Sequence, residues 1–415
     1  MVRHAALYVL LIASSVGWAT SIRPGRQQAT IAAPIDSSKL NNRPIIGILT
    51  QAGLEEDKFV PKDGTYIAAS YVKFVEAGGA RVVPVLADTP PDVLEGLLGR
   101  LNGFLIPGGA ANLRPGHDFF DTAARVLDYA LRANDAGNVF PVLGICLGFE
   151  TLMVLTAGAH DILKPYSSDG MAAQLYFTAD APDSRFFQSW DLDLVFDVLQ
   201  TPLTRESHSS GVSIKTFYQT KALASFMNPL TLSLDKEGKV YISTVEAKDY
   251  PILGLQWHPE KNNFEWSKHK NIPHGYWASE ITHQTVRFYV NDTRRSHASF
   301  NDVVDEDMWI IYNDKVVFSG RHIHEDDPVW AEQAYVFPDW RSYSNLLADR
   351  AELAGRRWLE SIAPDSRGPN SNSQAQPAGR LHGNGEGWSG AAAAASVAQR
   401  VQEFTGARGT ATAEL

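Results

Sequence analysis

The stretch Phe140-Pro141-Val142-Leu143-Gly144-Ile145-Cys146-Leu147-Gly148-Phe149-Glu150-Thr151-Leu152-Met153 holds the only cysteine in 415 residues. A short apolar run precedes Cys146 and an apolar-periodic one follows it, with Gly144 and Gly148 two residues away on either side. This pattern predicts a strand, a sharp turn carrying Cys146, and a helix. A nucleophile on such a turn is held in a strained backbone conformation that presents its side chain, and the flanking glycines let the chain segments pass closely. The helix that follows would aim N–H groups and a partial positive charge at the sulfur, an environment that favours thiolate. A free cysteine taken alone is more often a buried core residue, and it is the G-x-C-x-G setting that points to chemistry.

Working outward, strands alternate with helices. Strands are predicted at residues 44–50, 81–86, 103–106 and 251–257, and helices at 66–77, 91–101, 119–132 and 275–294. That alternation predicts an α/β fold with a doubly wound, mostly parallel sheet, whose ligands bind at the carboxyl ends of the strands. Between residues 184 and 245 the segments shorten and take on β character, notably at 192–199, 212–218 and 240–245, which predicts an antiparallel insertion.

Two more strand ends and a polar loop carry candidate chemistry. Gly103-Phe104-Leu105-Ile106 runs into Pro107-Gly108-Gly109, where the Gly109 amide could join that of Leu147 as an oxyanion donor, although Pro-Gly-Gly alone is an ordinary turn. The strand ending at Gln256-Trp257 leads into His258-Pro259-Glu260. A thiol nucleophile needs a group that takes its proton and later gives one to the leaving amine, and histidine does both near neutral pH. A carboxylate two residues on can fix the imidazole tautomer, completing a Cys146-His258-Glu260 triad. The polar loop Arg205-Glu206-Ser207-His208-Ser209-Ser210 supplies another histidine.

Composition narrows the classes. With 44% hydrophobic and 20% charged residues the chain is of ordinary globular type, and a net charge of -10 provides no footprint for nucleic acid. Residues 1–19 combine Arg3 and His4 with an apolar run and the small residues around Gly17-Trp18-Ala19, the pattern of a secretory signal peptide. No later stretch is long and apolar enough for a membrane helix. A solitary thiol on a secretory route forms no intramolecular disulfide and reads as reactive. Asn291-Asp292-Thr293 is a glycosylation sequon that fits the same route.

With these residues in hand, the chain resembles the γ-glutamyl hydrolases, the folate-processing branch of the class I glutamine amidotransferase-like fold. The likeness is carried by residues 44–51, Phe104 to Leu113, residues 140–152 and Gln256-Trp257-His258-Pro259-Glu260-Lys261. Phe149-Glu150 and Lys261 with Phe264-Glu265-Trp266 match that branch in particular. The resemblance implies that Cys146 attacks a γ-glutamyl carbonyl, that His258 serves as base and then acid with Glu260 orienting it, and that Gly109 and Leu147 amides hold the oxyanion. It further implies that His208 contacts substrate or handles a second proton. Folylpoly-γ-glutamates are the implied small-molecule substrates, with Arg114 and Lys261 as candidate contacts for their carboxylates. It implies a homodimer; no cofactor or metal is expected, the charge and the lack of a later membrane-length stretch predict no nucleic-acid or membrane partner, and residues 1–19 predict residence outside the cell or in a lysosome or vacuole. Ser209-Ser210 depart from the aromatic surroundings usual in the family, which bears on the substrate contacts. A glutaminase module of an amidotransferase, or a binding protein on the same fold, are the alternatives.

The expected organisation is a signal peptide at 1–19, a disordered lead at 20–43, a catalytic domain at 44–305, an extension packed on the core at 306–345 and a largely disordered tail at 346–415. The extension contains His322-Ile323-His324-Glu325-Asp326-Asp327, but no further ligands are spaced to complete a metal site, so it reads as a solvated loop. The tail is rich in Ser, Asn, Gly, Gln and Ala and lacks the apolar mass to fold alone, apart from a short helix expected near residues 391–404.

Overall fold

The computed structural model describes residues 37–53, 59–267, 270–319 and 331–362. Its central sheet is built from β1 (Ile45–Leu49), β2 (Arg81–Val85), β3 (Gly103–Ile106), β4 (Val142–Ile145), β5 (Tyr176–Phe177), β6 (Met227–Leu234), β7 (Val240–Ala247) and β8 (Ile252–Leu255). They lie in the order β2-β1-β3-β4-β8-β7-β6-β5. The first five are mutually parallel, and the last three run antiparallel beyond β8. The expected α/β doubly wound sheet with an antiparallel addition is the fold observed.

The reason is legible in burial. Every residue of β1, β3, β4 and β8 is buried, as parallel strands covered on both faces require. The covering helices are α1 (Ala69–Ala77), α2 (Pro91–Leu98), α3 (Asp118–Asp135), α4 (Leu147–Ala157) and α5 (Tyr276–Thr293). The α1 helix packs against α5, α2 against α3, and α3 against α4. Bare Gly78 at the end of α1 permits part of this contact, since a Cβ there would come 2.6 Å from Val290 and 2.8 Å from Val286.

Three expected elements take another form. Residues 66–68 are strand: Thr65–Ala68 pairs with Ala334–Phe337 on one side and Gln51–Ala52 on the other, a long-range pairing invisible to local periodicity. Leu192–Gln200 is a helix, because its buried residues Leu194, Val195 and Val198 follow helical spacing and not the alternation that Asp193 and Asp197 suggest. Ile214–Gln219 is also a helix, started by Ser213, whose hydroxyl accepts the Thr216 N–H at 3.0 Å.

The described residues fall into two compact units: those within 37–300 and 310–340, and those within 301–309 and 341–362. In the first, Val316–Val317 and Ala334–Phe337 join the small four-stranded sheet. In the second, the guanidinium of Arg350 donates to the Met308 carbonyl at 3.2 Å and lies over the ring of Tyr343. The helix Trp340–Ile362 runs across residue 345, where the tail was expected to begin. The expected signal peptide, the His322 to Asp327 run and the helix near 391–404 lie outside the described residues.

Candidate active site

Cys146 sits between β4 and α4 with φ 53° and ψ -106°, a strained conformation for a residue with a side chain. Both glycines of the motif are required by close approach. A Cβ at Gly144 would come 2.6 Å from the Gly148 carbonyl oxygen, and one at Gly148 would overlap the carbonyl oxygen of Ile106 on β3. The sharp turn is thus clamped between β3 and its own helix.

His258 follows β8, the strand next to β4, so sheet order alone brings the two side chains together. Both flank the bare Cα of Gly108 at the end of β3: a Cβ there would lie 2.8 Å from His258 Cε1 and 3.0 Å from Cys146 Cβ. His258 Nδ1 lies 2.7 Å from Glu260 Oε1, and its Nε2 is buried with no hydrogen-bond partner among the described residues. Cys146, His258 and Glu260 are 4%, 3% and 0% exposed.

Burial decides the charge state of the pair. It pushes the Cys146 thiol well up, with Glu150 adding to the effect, while the Lys261 charge and the Leu147 N–H pull only partly the other way. Burial likewise lowers His258, more than Glu260 raises it. Both directions favour the neutral thiol and the neutral imidazole, against the pull toward thiolate that a helix N-terminus exerts. A helix end is worth about 0.3–2 kcal/mol, less than desolvating an ion. The thiol itself points at the Ser207 carbonyl, with Sγ 3.7 Å from that oxygen.

Two residues that sequence reasoning missed complete the wall. Tyr71 on α1 accepts the Gly108 N–H at 2.8 Å and lies 3.5 Å from His258 Nδ1. Gln51 donates from Nε2 to the Gly108 carbonyl, and its amide fills the space a Cβ of Gly109 would occupy. The Gly108 amide is thus taken by Tyr71, and the next residue, Gly109, is exposed. Tyr71 reads in sequence as one more apolar position of a helix, so no local signal singles it out.

His208 is brought to the same neighbourhood, but not as an acid–base group. Its Nδ1 lies 2.7 Å from the Ser210 carbonyl and its Nε2 3.1 Å from Glu206 Oε2. The carbonyl oxygen can only accept, so Nδ1 donates to it, and Nε2 is engaged with Glu206, so neither ring nitrogen is left for the thiol. Burial pulls His208 down, but the Glu206 hydrogen bond and charge, with Glu150 and the Ser210 carbonyl, outweigh it and raise it. The ring of Tyr241 packs edge-on at 4.8 Å and fixes it further. Of its two expected roles, proton handling does not fit this geometry.

Lys261 lies just beyond Glu260, half-buried, with its charge felt at Cys146. Arg114 is exposed and makes none of the contacts described around Cys146 and His258. Asn291 is exposed in the last turn of α5, whereas Thr293 of its sequon is fully buried. Among the described residues no group of three or more His, Cys, Asp or Glu is arranged to hold a metal ion, and no helix is long and apolar enough to cross a membrane.

The Peptidase C26 family profile matches residues 44–260, which contain the elbow, His258 and Glu260. The chain belongs to the Peptidase C26 family. Similar curated proteins include gamma-glutamyl hydrolase 1 of Arabidopsis thaliana, 40% identical over 64% of this chain and 76% of that protein. Gamma-glutamyl hydrolase B of Dictyostelium discoideum is 33% identical over 72% of this chain and 84% of its own length. Gamma-glutamyl hydrolase of Homo sapiens is 37% identical over 67% and 86%. This member of Peptidase C26 is a hydrolase of the cysteine-peptidase type, and its only cysteine stands at the elbow.

Proposed function

We propose that this chain hydrolyses γ-glutamyl amide bonds and trims the poly-γ-glutamate tail of folates. The observation that carries the reading is the elbow cysteine beside a buried His258–Glu260 pair, in a chain whose relatives across plants, animals and Dictyostelium are γ-glutamyl hydrolases.

Substrate enters with its γ-carbonyl at Cys146. His258 Nε2 takes the thiol proton as the Cys146 sulfur attacks, so that no free thiolate is needed beforehand. The tetrahedral oxyanion is held by the Gly109 and Leu147 amides. His258 returns the proton to the departing amine, a γ-glutamyl thioester remains on Cys146, and water, activated by the same imidazole, releases the acid. Glu260 holds the Nδ1–H tautomer throughout. Lys261 contributes positive charge near the anionic tail.

The N-terminal pattern of residues 1–19 supports entry into the secretory route, ending outside the cell or in a lysosome or vacuole, and the family resemblance supports a homodimer. Residues 44–305 serve as the catalytic domain, and the following segments as an extension and tail.

The test is mass spectrometry of pteroylpoly-γ-glutamate digests with wild type and Cys146→Ala. Wild type should shorten the tail by whole γ-linked glutamates and the variant should not. Equal cleavage by both would remove Cys146 from the mechanism, and no cleavage by either would remove the activity.

A further inference from the structure

The strand Thr204–Glu206, paired antiparallel with Met171–Ala173, sends its side chains to opposite faces in turn. Thr204 and Glu206 share one face, where their side chains meet at 3.1 Å and Glu206 holds His208. Arg205 therefore projects to the other. Its backbone is tied to the catalytic histidine, since the Arg205 carbonyl accepts the His258 N–H at 2.9 Å. Two residues along, the Ser207 carbonyl faces the Cys146 thiol.

The guanidinium is only partly satisfied. It is 2% exposed, Nη1 donates to the Met171 carbonyl at 3.2 Å, and the buried Nε–H has no hydrogen-bond partner among the described residues. Leaving a buried charged donor unpaired is costly, so the site is incomplete without an acceptor. Its carboxylate neighbours are Asp169, which accepts the Ser207 hydroxyl at 3.0 Å, and Glu206, which is engaged with His208. Burial lowers Arg205, and its charge is felt at both Cys146 and His258. Toward the surface, half-buried Lys270 is pulled down to about 8, first by burial and then by Lys261. The charges of Arg205 and Lys261 are both felt at Cys146, and those of Arg205 and Lys261 at Lys270.

We infer that Arg205 holds the α-carboxylate of the glutamate whose γ-carbonyl Cys146 attacks. This rests on the γ-glutamyl hydrolase reading and adds the group that measures the acyl residue. A γ-glutamyl unit differs from other acyl groups in carrying a carboxylate two methylenes and one carbon from the reacting carbonyl. A buried guanidinium fork is suited to bind it, and Lys261 and Lys270 lie where the α-carboxylates of later glutamates would pass.

The experiment compares pteroyl-γ-glutamylglutamate with an analogue in which the acyl-side α-carboxylate is a carboxamide, using wild type, Arg205→Met and Arg205→Lys. Wild type should favour the carboxylate substrate by about tenfold to a hundredfold in kcat/KM, the worth of a hydrogen bond to a charged group. Arg205→Met should lose that preference through KM, so that it cleaves the two substrates with equal kcat/KM, and Arg205→Lys should keep part of it. Equal cleavage of both substrates by wild type overturns the subsite but leaves the hydrolase reading standing, as does an Arg205→Met that loses both activities alike while melting normally. If Arg205→Met fails to melt cooperatively, the wild-type preference and Arg205→Lys decide. Cleavage of neither substrate by wild type overturns both readings.

Discussion

Nδ1 of His258 lies 2.7 Å from Oε1 of Glu260, and the carboxylate is wholly buried. That contact assigns the ring proton to Nδ1 and leaves the Nε2 lone pair for the thiol. Glu260→Gln keeps the shape but weakens the hold on this tautomer, so kcat should fall by at least roughly tenfold with KM little changed. Steady-state kinetics on a γ-glutamyl substrate measure it, and an unchanged kcat would exclude an orienting role.

The neutral resting pair has a consequence for pH. Burial raises the Cys146 thiol and lowers His258, so thiolate in the free enzyme accumulates only above the ordinary thiol range. Iodoacetamide alkylation should therefore accelerate by about tenfold per pH unit between roughly pH 7 and 9, following the thiolate fraction. A rate already level below pH 7 would reveal a preformed thiolate–imidazolium pair.

Glu206 and His208 form the opposite kind of pair, a buried imidazole whose charged form the carboxylate favours. Because the folded value of His208 is raised, the stability it contributes is fully present below about pH 6.5, the ordinary histidine value, and is lost as pH rises through the folded value. Glu206→Gln should thus cost about 3 kcal/mol at pH 5.5 and less at pH 9. Urea unfolding at the two pH values checks the difference; a cost independent of pH would mean the ring is neutral.

Tyr71→Phe removes the acceptor of the buried Gly108 N–H. It should destabilise the protein by about 1–3 kcal/mol, the cost of an orphaned donor, and lower kcat as the Gly108-Gly109 turn loosens. Urea unfolding and kinetics on the same preparation read both effects.

Gly148→Ala would drive a methyl group into the Ile106 carbonyl, backbone that cannot rotate away. A loss of about 2–3 kcal/mol and of most activity is expected, since the elbow itself must shift. Thermal melting with alkylation of Cys146 measures both, and a variant that melts and alkylates like wild type would contradict the clamp.

Much of this protein is readable along the chain. The parallel strands are short, wholly apolar and punctuated by glycine, so β1, β3, β4 and β8 stand out by composition. Cys146 and His258-Pro259-Glu260 stand out by following them. Local order also dictates that Gly144 and Gly148 flank the turn, because the need for bare Cα atoms arises within a few residues of the elbow and from the next strand.

What the chain alone could not decide depends on partners distant in sequence. Residues 66–68 become strand only because residues 334–337 arrive beside them, and Tyr71 joins the site only because α1 lies against the end of β3. The loop after Arg205 looks like a solvated histidine loop until folding buries it, whereupon Ser210 and Glu206 engage both ring nitrogens of His208 and strand alternation sends Arg205 to the face opposite Glu206. The direction in which the Cys146 thiol is pushed likewise depends on tertiary structure. A helix N-terminus is a local feature and favours thiolate, but desolvation is a property of the packed site, and here it is the larger effect.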